Sequence, residues 1–382
     1  MPRRFKKILV CVTEDWFALS HFKPLLRTLV GLADDVVVAA RSSGRMREIE
    51  ALGARTIDFD FRRSSLRVVA QADVVRRLSR LIAAERPDVV HAIAMQTLVV
   101  TALALKLAPP VPHAVLHLTG LGFLGISHSN AARLLRPVAL RVLAMTLRHP
   151  GSWLLAENPD DVAYLRAGGA DSGSRLTILG GAGIDETEFP AQPASGNAVP
   201  VAAFVGRMIR SKGVDVLVAA QHRLASRGIP LEVALYGKTD DDNPEGVPLA
   251  EIEGWTRQGG VTWHGHVSDI RQVWAQSDIA VLPAITREGL PRSVLEAAAS
   301  ARPLIVTDVP GCRHVVRPDV DGLIVPPSDP AALADALARL VADPALRARM
   351  GASARERVLG GFTIEHVTAG IRDAYEKLGR AL

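Results

Sequence analysis

The chain has 382 residues, 48% of them apolar and 4% aromatic, with 45 Lys and Arg against 40 Asp and Glu for a formal net charge of +5. This length exceeds what a single core usually supports, so two domains are expected, and the apolar content is ample for two buried cores. The charge is uneven, with 24 basic and 18 acidic residues in 1–190 against 21 and 22 in the remainder, so only the first half suits nucleic acid, anionic lipid or a phosphorylated substrate. Aromatic residues are few and are not interleaved with Arg and Lys, which argues against stacking on single-stranded nucleic acid. Two cysteines, Cys11 and Cys312, lie far apart without metal-ligand spacing, so a reduced cytosolic protein is the simplest reading.

In chain order, the basic start Arg3-Arg4-Phe5-Lys6-Lys7 is followed by only Ile8 to Val12 before Glu14 and Asp15, too short an apolar run for a signal peptide. Strand-length apolar runs then recur at Ile8–Val12, Val36–Ala40, Val89–Ala92, Ala114–Leu118 and Trp153–Ala156, with helical patterns between them. The stretch from Val89 to Ala156 contains no Asp or Glu, yet Lys106, Pro109, Pro110 and Pro112 interrupt it, so no membrane-spanning helix is expected. Within it, Ala131 to His149 is an apolar helical pattern carrying Arg133, Arg136, Arg141 and Arg148. That composition suits either a helix lying on an anionic membrane or a core helix with a basic outer edge. The Pro-, Gly- and polar-rich segment Phe189 to Asn197 reads as a linker.

A second series of runs follows at Val201–Val205, Glu232–Tyr236, Val261–His264, Ile279–Pro283, Leu304–Thr307 and Leu323–Val325. Alternation of strand and helix in both halves argues for an α/β protein of two Rossmann-like domains with parallel sheets. The domains are expected over 1–189 and 200–361, joined by 190–199, with the active site in the cleft between them. A last helical pattern covers 362–382.

Two segments of the second half carry chemistry. Ala203 to Gly213 places Gly206, Arg207 and Lys212 on a turn between a strand and a helix, where backbone amides and two cations can meet a diphosphate. In a partly buried site each such charge pair contributes on the order of 4 kcal/mol, against roughly 0–1 when solvated on the surface. The second segment, Arg287 to Glu296, follows a buried strand and sets Glu288 and Glu296 on either side of Gly289, Leu290 and Pro291. Pro291 suits the first helical position, where its missing N–H is no loss, and the helix start favours an anion. Glu296 then lies roughly 7–8 Å along the axis, so one extended ligand with hydroxyls at both ends and phosphates between them can meet both carboxylates. The alternative is a helix-capping Glu288 and a solvated Glu296. Asp240-Asp241-Asp242, after Tyr236-Gly237-Lys238, reads as a solvated loop and not as a metal pair.

Taken in order, Gly206-Arg207-(x4)-Lys212-Gly213, Glu288-Gly289-(x6)-Glu296-Ala297, Arg302-Pro303 to Asp308, Pro310-Gly311 and Asp321-Gly322 to Pro327 resemble the retaining glycosyltransferases of family 4, which have the two-domain GT-B fold. Ala301 stands where a glycine is usual in the family. The resemblance implies that Arg207 and Lys212 clamp the diphosphate, that Glu288 contacts the transferred sugar and that Glu296 holds the ribose. It also implies that amides near Gly237 and Gly265 border the base pocket and that the terminal helix crosses back to the first domain. Leu116-His117-Leu118-Thr119-Gly120-Leu121-Gly122-Phe123 resembles the Thr-Gly-Leu-Gly stretch of members that extend lipid-linked oligosaccharides, placing Thr119 and Gly120 at the acceptor. His117 lies two positions before the place where many members have a histidine, and either lines the site or is buried and hydrogen-bonded. The early loop Thr13 to His21 replaces the family's glycine pair, so no acceptor contact carries over there. Glu157 to Asp161 and Pro310 to Arg313 resemble segments of enzymes that build surface polysaccharide on polyprenyl diphosphate.

The expected activity is therefore transfer of a sugar from a UDP-sugar to a polyprenyl-diphosphate-linked saccharide, at the inner membrane face and with no metal or other cofactor. The rival readings are a nucleotide-sugar epimerase of the same fold and a non-catalytic basic scaffold for sugar nucleotides or membrane lipid.

Overall fold

The computed structural model describes residues 5–61, 68–122, 130–240 and 243–380. They divide into two compact units, 1–183 with 364–382 and 184–363. The first unit carries β1 (Phe5–Glu14), β2 (Ala33–Arg41), β3 (Arg55–Asp58), β4 (Val89–Ile93), β5 (His113–Leu118), β6 (Ser152–Ala156) and β7 (Leu176–Ile178) in the order β3-β2-β1-β4-β5-β6-β7. The second carries β8 (Val201–Val205), β9 (Glu232–Tyr236), β10 (Val261–Trp263), β11 (Ile279–Leu282), β12 (Leu304–Thr307) and β13 (Gly322–Val325) in the order β10-β9-β8-β11-β12-β13. Every strand pair in both sheets is parallel. Helices cover both faces, which is why the inner strands are continuous apolar runs.

Each apolar run read as a strand is a strand. The two that escaped notice, β3 and β7, lie at the edges of the first sheet and are only half-buried. An edge strand has a wet side and needs no unbroken apolar run, so Arg55-Thr56-Ile57-Asp58 gave no signal.

The chain passes from the first unit to the second at Gly183/Ile184 and returns at Thr363/Ile364. Residues 190–199, expected as the linker, are instead tied to the second unit. Phe189 is buried in its core, Arg302 donates to the Pro193 carbonyl at 2.8 Å, and Ser195 and Asn197 donate to Asp278 at 2.7 and 3.0 Å. Proline and glycine mark irregular backbone here, not freedom. The helix Ile364–Leu378 packs in the first unit, its Val367, Ile371, Ala374, Tyr375 and Leu378 joining the core formed by β1, β2 and the helix Lys23–Leu32.

The end of the helix Arg292–Ala299 shows why a glycine would suit position 301. The helix ends in two reversed bonds, Arg302 N to Ala297 O at 2.9 Å and Ala301 N to Ala298 O at 2.9 Å, which together form a Schellman stop. The residue at this turn must adopt the left-handed region, and Ala301 does so with φ at +58°. A β-carbon there costs roughly 1–2 kcal/mol, partly offset because glycine loses about 0.4–1 kcal/mol more backbone freedom on folding. Ala301→Gly is therefore expected to stabilise the protein by about 0.5–1 kcal/mol, read as a higher denaturation midpoint in urea with unchanged slope; a lower midpoint would mean that the alanine methyl packs better than it strains.

Candidate active site

Parallel strands aim their carboxyl ends one way, and in the second sheet the connections diverge between β8 and β11, which run to opposite edges. A crevice opens at such a switch point. Gly206 and Arg207 leave β8 there, Gly237 leaves β9, Gly265 follows β10, and Pro283 to Glu288 leave β11.

The turn after β8 is pressed against its neighbours, and two glycines make this possible. Gly213, at φ +72°, closes the short 3-10 turn Arg210–Lys212, and a β-carbon on it would overlap the Pro283 carbonyl at the end of β11. Gly237 likewise lies against the Gly206 carbonyl, leaving no room for a side chain. The loops are further joined by Ile285 N to Ser211 O at 2.8 Å, Gly206 N to Tyr236 O at 2.9 Å and Gly237 N to Gly265 O at 2.7 Å.

This close approach sets Lys212 beside Glu288, Nζ to Oε1 at 2.8 Å, with only about a fifth of each side chain exposed (20% and 18%). The Glu288 loop is fixed by Glu288 N donating to Pro310 O at 3.0 Å. Arg207 is more open, 57% exposed, and its Nη1 meets Asp240 Oδ2 at 2.6 Å. Arg210, between the two cations in sequence, turns away to Glu251 at 2.6 Å.

The helix after Glu288 begins at Arg292, one residue later than expected. Pro291 is its N-cap in an extended conformation, and Val294 N donates to the Pro291 carbonyl at 3.1 Å. Its φ of −70° would suit the helix, but its ψ of 115° is extended, so Pro291 caps the first turn through its carbonyl and stays outside it. Leu290 and Pro291 are buried, and Gly289 is half-buried beside Glu288.

Glu296 is no solvated surface group, being only 7% exposed. Burial pushes its carboxyl above the usual range, opposed by the Arg292 guanidinium one turn earlier, Nε to Oε1 at 2.8 Å. A buried carboxylate with one partly exposed partner keeps a lone-pair side available for ligand hydroxyls. Cys312, close enough to feel both Glu288 and Lys212, is fully buried, and burial pushes its thiol far up, so it is no thiolate nucleophile.

The remaining candidates belong to the first unit. Thr119 and Gly120 follow β5 at its carboxyl end and are half-buried, whereas Phe123 lies outside the described residues. His117 is buried within β5, edge-on to Phe22 at 5.4 Å, with its Nδ1 3.4 Å from His91 Nε2. His91 Nδ1 lies 2.7 Å from the Tyr375 hydroxyl on the terminal helix. Burial pushes the His117 imidazole down to about 3 and His91 well below the usual range, so both rings are neutral near pH 7. His117 is thus a buried group of β5 in the first unit.

Sequence reasoning missed Asp240 as the partner of Arg207 and Arg292 as the partner of Glu296. An i,i+4 spacing signals the second pair; no local signal announces the first. Asp241 and Asp242 lie outside the described residues. Among the described residues no cluster of His, Cys, Asp or Glu is arranged to hold a metal ion.

Comparison with known proteins matches residues 7–146 to the family described as glycosyl transferase 4-like and residues 199–343 to glycosyl transferases group 1. The alpha-maltose-1-phosphate synthase of Mycobacterium tuberculosis is 32% identical over 216 residues, 51% of this chain and 55% of its own. The chain thus spans about half the length of that relative. The N,N'-diacetylbacillosaminyl-diphospho-undecaprenol alpha-1,3-N-acetylgalactosaminyltransferase of Campylobacter jejuni is 24% identical over 90% of this chain and 91% of its own. Among solved structures, Anabaena HepE in complex with UDP and glucose superposes with a TM-score of 0.75 at 18% identity, covering 97% of this chain and 99% of that one. Sucrose-phosphate synthase from Thermosynechococcus elongatus gives 0.78 at 20% identity over 99% and 100%. With a 4-like domain followed by a group 1 domain on two parallel Rossmann-like sheets, the chain belongs to the glycosyltransferases of family 4 and has the GT-B fold.

Proposed function

We propose that the protein is a retaining glycosyltransferase that moves a sugar from a UDP-sugar to a polyprenyl-diphosphate-linked saccharide during surface polysaccharide synthesis. The observation that carries this reading is the Lys212–Glu288 pair at the carboxyl ends of β8 and β11, with Arg207 on the same turn after β8 and the buried Glu296 on the helix that follows Glu288. A donor with two phosphates between two sugars offers anionic oxygens to the cations and hydroxyls to the carboxylates. UDP and UDP-glucose occupy the structurally similar Anabaena HepE, and the Campylobacter relative is named for a diphospho-undecaprenol acceptor, which favours this donor and acceptor class here.

In the reaction, Glu296 accepts hydrogen bonds from the ribose diol and fixes the nucleotide's register on the second unit. Arg207 and Lys212 take the diphosphate. The bond from the sugar's anomeric carbon to the β-phosphate oxygen breaks while a bond to the acceptor oxygen forms on the same face. The acceptor's proton passes to the departing phosphate, giving UDP and the new glycoside. Lys212, already held against Glu288, stabilises charge as it develops on the leaving oxygen without having to reorganise. Glu288 meets hydroxyls of the transferred sugar and orients the anomeric carbon. Thr119 and Gly120 serve the acceptor. With two fixed cations supplied, leaving-group charge is neutralised by side chains.

The helix Asn130–Leu147 adds a membrane side to this reading. Leu134, Val138 and Met145 are 76%, 59% and 39% exposed and fall at i, i+4 and i+11, one stripe of the helix. Exposed Arg133, Arg141 and Arg148 flank it, a pattern suited to an anionic lipid surface. Among the described residues no helix is long and apolar enough to cross a membrane, so attachment would be peripheral.

Incubating the protein with UDP-sugars and polyprenyl-diphosphate saccharides should add one sugar mass to an acceptor, and Glu288→Ala should cut turnover by roughly a hundredfold or more while nucleotide binding persists. An altered donor recovered without acceptor would point to the epimerase. Nucleotide binding without any turnover would leave the scaffold. For the ribose contact, Glu296→Gln should raise the donor KM by roughly ten- to a hundredfold. Its raised folded-state pKa means that stability present at low pH is lost as pH rises through that value. The glutamine variant should therefore match or exceed wild-type melting temperature at pH 7 and lose that advantage near pH 4; a lower melting temperature at pH 7 would show that the Arg292 pair outweighs the burial cost. Vesicles containing anionic phospholipid should sediment the wild-type protein but not Leu134→Glu/Val138→Glu, and equal binding to neutral vesicles would remove the electrostatic part of the membrane reading.

A further inference from the structure

Asp240 has no part in the chemistry above, yet it occupies one of the two cations. Its position is built, not incidental. The loop after β9 is hydrogen-bonded along the Arg207 segment by Met208 N to Lys238 O at 3.0 Å, Arg210 N to Glu245 O at 2.8 Å and Val247 N to Met208 O at 2.9 Å. Met208 pairs with Thr239, and Ile209 with Gly246, as isolated bridges. Inside the loop, Asn243 N donates to the Asp240 carbonyl at 2.9 Å and Asn243 Nδ2 to Asp240 Oδ2 at 3.3 Å, the same oxygen that accepts from Arg207. A carboxylate is thereby held on the guanidinium by a braced loop, at the place where diphosphate oxygens would bind.

Carboxylate and phosphate compete for the same planar donor fork. We propose that Asp240 is an internal competitor of the donor's diphosphate: it holds Arg207 in the nucleotide-free protein, yields it when the nucleotide binds, and takes it back as nucleoside diphosphate leaves. This rests on the reading of Arg207 as a diphosphate ligand. The pair is well hydrated, since Arg207 is more than half exposed, so the competition is weak, about two- to fivefold in nucleotide affinity. That size suits release. Arg207 is kept in a defined, reachable place, while the product, which carries more negative charge than the bound donor, has a rival for its contact.

The test is UDP binding by calorimetry to the full-length protein and to Asp240→Asn at low salt and at 0.15 M salt. The competitor predicts that the variant binds UDP about two- to fivefold more tightly, that the gain shrinks with added salt, and that inhibition by product UDP strengthens in parallel. Asp240→Asn/Asp241→Asn/Asp242→Asn repeats the measurement with no neighbouring carboxylate to substitute. Unchanged or weaker UDP binding in both variants overturns the idea and makes Asp240 a bystander or a holder of Arg207. Arg207→Ala separates the two layers. If it weakens UDP binding and the Asp240 variants change nothing, only the competitor fails; if Arg207→Ala leaves UDP binding intact, the diphosphate reading of Arg207 fails and the competitor with it. In Arg207→Ala/Asp240→Asn, the gain from removing Asp240 should vanish.

Discussion

Lys212 and Glu288 are far apart in sequence and 2.8 Å apart in space because β8 and β11 are neighbours in a parallel sheet whose connections part between them. The rest of the second unit's chemistry depends on that juxtaposition. A helix-sheet scaffold can bring two loops together only if their backbones are allowed to touch, and here Gly213 against the Pro283 carbonyl supplies the missing side-chain volume. A single methyl at that position would push the β8 turn off the β11 loop. The ammonium would then leave its carboxylate, and two singly charged, partly buried groups would each face desolvation alone.

Glu296 obeys the opposite logic. Its carboxylate is carried into the interior on a rigid helix and left with the partly exposed Arg292 as its ion-pair partner, so the folded chain bears a cost there that packing alone would never select. Groups held in such unfavourable electrostatic settings concentrate where a ligand completes them. The stability cost is met by the surrounding core, in which Leu295, Ala297, Ala298 and Ala299 of the same helix are all but fully buried. A strongly apolar helix face thus carries one polar residue at the edge of the site.

Much of this was legible beforehand. Inner parallel strands are buried on both faces, so β1, β4, β5, β8, β11 and β12 announce themselves as short apolar runs, and the strand-turn-helix places of Arg207, Lys212, Glu288 and Glu296 follow from them. The edge strands β3 and β7 were silent because half their surface meets water. The segment 190–199 misled because proline and glycine report backbone shape, whereas its attachment to the second unit depends on Arg302 and Asp278, about a hundred residues on in sequence. His117 was ambiguous for a related reason. A histidine inside an apolar run has the same neighbours in sequence whether its ring faces a ligand or, as here, His91 and Phe22. Asp240 lay beyond reach altogether, since a triplet of acids after a glycine turn looks solvated until the loop is seen braced along the β8 turn.

The charge distribution differs between the two halves of the chain. The second half is close to neutral in sequence, and each of the two candidate cations is matched by one carboxylate, Arg207 by Asp240 and Lys212 by Glu288. Such a site has no large net field to draw in anions at random. The excess of positive charge sits in the first half, where arginines flank an exposed apolar stripe on the helix Asn130–Leu147. The basic excess and the paired charges of the candidate site thus lie in different units, so a field built by the first is not made from the charges that the second pairs off.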